Sequence, residues 1–255
     1  MLHYQELHPD CEPTTIIIHG LFGSGDNWKS LAKWLPEQRI LLIDLPGHGQ
    51  SELRGHWQHS KAAQQVLHLA DRLQIGQFSL LGHSLGGKVA MSIANMAAER
   101  IEQLIIADIA PKDYSPHHSH IFKALQTIDC QALTNRRDAE QQLAQQGVKM
   151  KAVRQFLLKS LFHDGQHYQW RLAVEQLGAS QPELSQAPEL TQTFEGDCLF
   201  ILGEHSDYVQ LSDYQLIRQY YPQAQIERLP QAGHWLHVEQ PDAFMSLVRR
   251  ALQLP

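Results

Sequence analysis

Short apolar runs alternate along this chain with longer stretches in which apolar residues recur at helical spacing. The runs are Thr14 to Ile18, Arg39 to Ile43, Phe78 to Leu81, Leu104 to Ala107, Cys198 to Leu202 and Gln225 to Leu229. Each is β-branched or leucine-rich and largely free of polar alternation, the pattern of strands covered on both faces. Strands separated by helical patterns predict βα units on a mostly parallel sheet, an α/β architecture. Polar residues and glycines cluster just past the ends of these runs, at His19-Gly20, Asp44, Asp108 and Gly203. That is where open α/β sheets place their ligands.

The rhythm breaks once. From about Lys112 to Glu195 no strand signal is present, while helical patterns run through Ala139 to Ala144 and Val153 to Phe162. Pro182 and Pro188 punctuate the exit. The expected organisation is a core of residues 1–111 and 196–255 with a helical cap, 112–195, inserted over the sheet edge. The glutamines at 141–142 and 145–146 fit a solvated helix face.

Within this frame the pentad Gly82-His83-Ser84-Leu85-Gly86 carries the clearest chemistry. A strand-like run precedes it, and Val89, Ile93, Met96 and Ala97 give helical spacing after it. A G-x-S-x-G sequence at a strand-to-helix turn is the context of a nucleophile elbow. Glycines at 82 and 86 let strand and helix cross closely, and Ser84 is left exposed on a sharp turn. The helix start offers free N–H groups and a positive dipole end to a developing oxyanion.

A serine needs a base. Among the 16 histidines, His234 stands out because it follows the last strand and Gly233, in the chain order of nucleophile first and histidine last. For the acid that orients it, two aspartates compete: Asp207, after the next-to-last strand, and Asp108, at the end of the strand following the one that bears Ser84. An aspartate in the apolar setting of Asp108 is costly unless paired. Asp44 reads instead as fixing the turn Pro46 to Gly49. The oxyanion hole is expected from the amides of Leu85 and of Leu21, in the glycine-rich loop after the first run. Trp170 and Trp235 are candidates to line an acyl pocket, and Lys88 reads as a helix residue whose head reaches solvent.

Composition narrows the partners. A net charge of −6 and a pI near 6.2 disfavour nucleic acid or an anionic membrane surface. Cys11, Cys130 and Cys198 have no metal or disulfide spacing. His117-His118-Ser119-His120 lacks carboxylates or cysteines at ligand spacing, so no metal is expected. No run is long enough to span a membrane, and the N-terminus lacks signal-peptide character, so a cytoplasmic location is the expectation.

These motifs together resemble the α/β-hydrolase superfamily. The chain is most similar there to the small bacterial YbfF-type esterases and the abhydrolase-domain-11 proteins, through His19 to Ser24, Gly82 to Lys88, Asp108-Ile109-Ala110-Pro111 and Ala232-Gly233-His234-Trp235. The resemblance covers nearly the whole chain. It implies an α/β-hydrolase fold with a helical cap and a serine esterase or thioesterase acting on short- to medium-chain acyl esters through an acyl-enzyme, with no cofactor. It favours Asp108 over Asp207 as the acid of a Ser84, His234, Asp108 triad. The segment Asp44 to Gly49 departs from the subgroup, which often has an Arg-Asn pair before His-Gly. Gly20 to Trp28 also resembles the menaquinone-pathway synthase of the same fold, which makes a triad-dependent lyase the alternative. Its carboxylate substrate would call for arginines at the site, and the cap offers Arg136, Arg137, Arg154 and Arg171. A non-hydrolytic binding module is the third class.

Overall fold

Every apolar run named above is a strand in the computed structural model, which describes residues 2–116 and 118–255. In chain order the elements are β1 (Tyr4–Leu7), β2 (Thr14–Ile18), α1 (Lys29–Ala32), β3 (Arg39–Ile43), α2 (His59–Arg72), β4 (Phe78–His83), α3 (Leu85–Met96) and β5 (Ile101–Ala107). Next come α4 (Ser119–Thr127), α5 (Arg136–Gln145), α6 (Lys151–Leu158), β6 (Leu161–His163), β7 (Tyr168–Trp170), α7 (Val174–Ala179) and α8 (Gln181–Ser185). The chain closes with β8 (Cys198–Gly203), α9 (Tyr214–Tyr220), β9 (Gln225–Leu229), α10 (Leu236–Glu239) and α11 (Pro241–Ala251).

The main sheet has seven strands in the order β1-β3-β2-β4-β5-β8-β9. Only β1 is antiparallel to its neighbour. Successive residues of each strand feed opposite layers. Ile16, Ile18, Leu41, Ile43, Leu80 and Ile106 pack with α2, α3 and α9. Ile17, Ile40, Leu42, Leu81, Ile105 and Ile201 pack with α1, α10 and α11 on the other face. Two covered faces leave no polar alternation, which is why the runs of β2, β3, β4, β5 and β8 read as continuous. β9, expected to be covered as well, is instead a half-exposed edge strand, which accounts for its Gln225, Glu227 and Arg228. The result is the α/β-hydrolase architecture, with β4 in mid-sheet between β2 and β5.

Two strand features depart from the sequence reading. β1 was not foreseen: Tyr4-Gln5-Glu6-Leu7 is polar in its middle and lies on the sheet edge, where Glu6 binds Arg39 at 2.7 Å. Between β5 and β8, β6 and β7 form an antiparallel hairpin where no strand was expected. Strands of three residues are too short to show a period, and this pair is closed by a local turn from the Asp164 amide to the carbonyl of His167. The helical pattern over 153–162 accordingly stops at Leu158. The segment is tied down on the core: the Gly49 amide donates to Arg171 O, the Ala173 amide to Gly47 O, and the Trp57 amide to Ser180 Oγ.

Candidate active site

β4 runs into α3 through Ser84, whose backbone sits at φ 52°, ψ −117°, a left-handed conformation costly for a residue with a Cβ. The turn is possible because its neighbours are glycines. A Cβ on Gly82 would stand 2.3 Å from Gly86 O, and one on Gly86 would stand 2.3 Å from Ile18 O. The Ser84 amide donates to Ala107 O at 2.9 Å, which pins the turn to the end of β5.

Three side chains from the ends of β4, β5 and the loop after β9 line up here. His234 Nε2 lies 3.0 Å from Ser84 Oγ, and His234 Nδ1 lies 2.7 Å from Asp108 Oδ2. Asp108 has no solvent exposure. Its Oδ1 accepts from the Gly203 amide at 2.9 Å, and its Oδ2 also accepts from the hydroxyl of Ser206. A buried carboxylate is tolerable only when so supplied with donors. The Tyr208 ring stacks on the His234 ring at 3.6 Å and 11°. Asp207, the rival acid, is exposed on the loop after β8, and its carbonyl accepts from the Gln210 side chain. A hydroxyl, an imidazole and a buried carboxylate in this order can move the serine proton onto the imidazole and stabilise the imidazolium that results.

The amides of Leu85, at the first position of α3, and of Leu21 have no hydrogen-bond partner among the described residues. Their loops are held by neutral histidines. His19 Nδ1 donates to Gly20 O at 2.7 Å while its Nε2 accepts from the Leu45 amide at 3.0 Å. His48 Nδ1 donates to Pro46 O while its Nε2 accepts from the Phe22 amide at 3.3 Å. His83 Nε2 donates to His234 O at 2.8 Å, fixing the loop that carries the base. Burial pushes His19 down to about 4, and His48 and His83 to about 3. Asp44 bonds the amides of Gly25 and Gln50, so it does brace the turn assigned to it.

Two cavities meet at Ser84. One, about 770 Å³, has apolar walls from Phe22, Ile121, Val153, Phe156 and Trp235, with His234 on its side. The other, about 50 Å³, is bounded by Leu85, Lys88, Ile109, Tyr114, Phe122 and Leu184. Trp235 thus lines the large cavity, whereas Trp170 lies on a separate depression beside Gly47 to Leu53. His118 and His120 lie on the large cavity's wall, His118 edge-on to Phe22; His117 lies outside the described residues.

Lys88 corrects a reading. Its head does not reach solvent: the residue is 3% exposed. Its ammonium donates to Ser185 O at 2.8 Å, Gln186 O at 2.5 Å and Leu184 O at 3.4 Å, with the Tyr114 ring 4.9 Å away. Helical position alone could not say that the end of α8 would cover it. Burial lowers its pKa to about 7. Ser206, Tyr208 and His83 were also missed; a hydroxyl or ring beside a candidate acid or serine carries no periodic signal of its own.

Set against known proteins, residues 16–247 match the Alpha/beta hydrolase family, and the chain belongs to it. Within that family it is 36% identical to the sn-1-specific diacylglycerol lipase ABHD11 of Danio rerio, over 93% of this chain and 78% of that one. It is 35% identical to Esterase YbfF of Escherichia coli, over 93% and 92%. A solved structure titled "Marine microorganism esterase" superposes with a TM-score of 0.92 at 30% identity, covering 98% of both chains. Among the described residues no helix is long and apolar enough to cross a membrane.

Proposed function

We propose that this protein is a serine esterase or thioesterase of short- to medium-chain acyl groups, with Ser84 as nucleophile, His234 as base, Asp108 as its orienting acid, the Leu85 and Leu21 amides as oxyanion hole and residues 112–195 as cap. The observation that carries it is the unbroken line from Ser84 Oγ through His234 to Asp108, at 3.0 and 2.7 Å. Ser84 attacks the acyl carbonyl while His234 takes its proton, and the imidazolium then protonates the departing alcohol or thiol. Water, deprotonated by the same imidazole, releases the acyl group from Ser84. The esterase and lipase names of the relatives agree with this chemistry.

The lyase reading is weaker because three of its four arginines are occupied elsewhere and the fourth, Arg137, is exposed on α5. Arg136 binds the carbonyls of Leu158 and Leu161, Arg154 those of Val148 and Lys149, and Arg171 lies over Phe162. No arginine is among the residues lining either cavity at Ser84.

The test is reaction with a fluorophosphonate and turnover of p-nitrophenyl esters, before and after Ser84→Ala. Both should vanish in the variant, with a loss in kcat of up to about a millionfold, while the circular dichroism spectrum stays unchanged. Turnover within tenfold of the parent chain would sink the proposal.

A further inference from the structure

The two cavities at Ser84 differ in size and in which catalytic group they touch. We propose that the small cavity receives the acyl group and the large apolar cavity the leaving group, so that the preferred substrate is a short-acyl ester or thioester of a bulky, apolar alcohol or thiol. This assignment rests on the esterase reading above and says which side of the ester lies where.

Directions around the attacked carbon decide which cavity takes which group. That carbon is bonded to Ser84 Oγ in the tetrahedral intermediate, and its remaining substituents are the oxyanion, the leaving atom and the acyl carbon. The leaving atom must take a proton from His234 Nε2. His234 is on the wall of the large cavity and is not among the residues lining the small one. The oxyanion is directed at the Leu21 and Leu85 amides, and Leu85 borders only the small cavity. With the leaving atom on the His234 side, the acyl carbon is assigned to the cavity that His234 does not line, whose walls include Lys88, Ile109 and Leu184. A space of about 50 Å³ holds on the order of three to five water-sized groups, which fits an acetyl to butyryl chain. A volume of about 770 Å³ lies within the usual range for sites that take drug-sized apolar molecules.

The far wall of the small cavity cannot easily yield. Leu184 and Ser185 are part of it, and both are fastened to α3 by the Lys88 ammonium. That ammonium is a positioning group: its three donors go to carbonyls, leaving no N–H free for a substrate.

The experiment measures kcat/KM over two series: one alcohol with acyl groups from acetyl to octanoyl, and acetates of alcohols from methyl to octyl. The intact chain should lose about tenfold or more for each methylene beyond the fit of the acyl cavity, and gain or hold along the alcohol series. Leu184→Ala should move the acyl limit to longer chains without altering the alcohol series. Phe156→Ala should alter the alcohol series alone. A preference of the intact chain for octanoyl over acetyl, or a Phe156→Ala variant that shifts the acyl series instead, would overturn the assignment while leaving the esterase reading in place. No turnover of any ester, together with no fluorophosphonate on Ser84, would remove both.

Discussion

Asp108 shows how much one buried side chain can be asked to hold. Its carboxylate meets the His234 ring, the Gly203 amide and the Ser206 hydroxyl, and its own backbone is left-handed at φ 53°. Asp108→Asn keeps the size but removes the charge that stabilises the imidazolium and selects its tautomer. A loss in kcat of about 10⁴ is expected, the scale of the same change in another triad enzyme, while Asp207→Asn, in its exposed loop, should stay within about threefold. Steady-state kinetics on the pair decides between the two aspartates. Ser206→Ala removes one donor to a charged acceptor and should cost about 10- to 100-fold, since such bonds are worth roughly 1.5–3 kcal/mol. Activity of Ser206→Ala equal to the parent would mean that the hydroxyl does not support the acid. The serine and histidine could be read in the sequence because each follows a recognisable strand, whereas two aspartates met that condition and only the family resemblance favoured Asp108 over Asp207. Ser206 could not, since a polar residue in a polar loop looks like any other.

At the level of elements, the strands were legible and the attachment of one segment to another was not. Runs such as Ile16 to Ile18 and Leu104 to Ala107 are apolar throughout because α2, α3 and α9 cover one side and α1, α10 and α11 the other. The hairpin β6–β7 and the edge strand β1 escaped notice because neither has enough apolar length to form a pattern. Lys88 escaped for a different reason: it lies on a helix that is buried on nearly every side, polar residues included, and only the fold reveals that α8 ends over it. Replacing it by methionine keeps the bulk and removes the three bonds. Ser185 O and Gln186 O retain second partners in the Tyr114 amide and His59, so the cost should be moderate, about 1–3 kcal/mol. The sharper expectation for Lys88→Met is selective: limited proteolysis should cut residues 181–195 sooner, while the core remains resistant. Equal cleavage rates in both proteins would show that the ammonium does not fasten this segment.

For the whole molecule, the buried histidines set a limit on the acid side. His19, His48, His59 and His83 are held neutral by burial, at about 4, 3, 3 and 3, against about 6.5 in an unfolded chain. A pKa lowered by folding means that the unfolded chain binds more protons below pH 6.5. The stability these groups allow is therefore complete above 6.5 and lost as pH falls toward 4 and 3. Each costs on the order of 2 kcal/mol by pH 5, and together they rival the 5–15 kcal/mol that holds a typical domain. The melting temperature should fall steeply between pH 6.5 and 5, and a flat profile there would show that the rings are already charged in the fold. The sheet order has a consequence of another kind. Ser84 and Asp108 leave the ends of β4 and β5, in the middle of the sheet, whereas His234 hangs from the loop after β9, an edge strand paired only with β8 and half-exposed along its length. Edge strands have fewer partners to lose and open first. Inactivation should then run ahead of unfolding: in rising urea, fluorophosphonate reactivity fades while the circular dichroism of the central strands persists. Under such mild stress the protein would keep its shape after its chemistry had stopped.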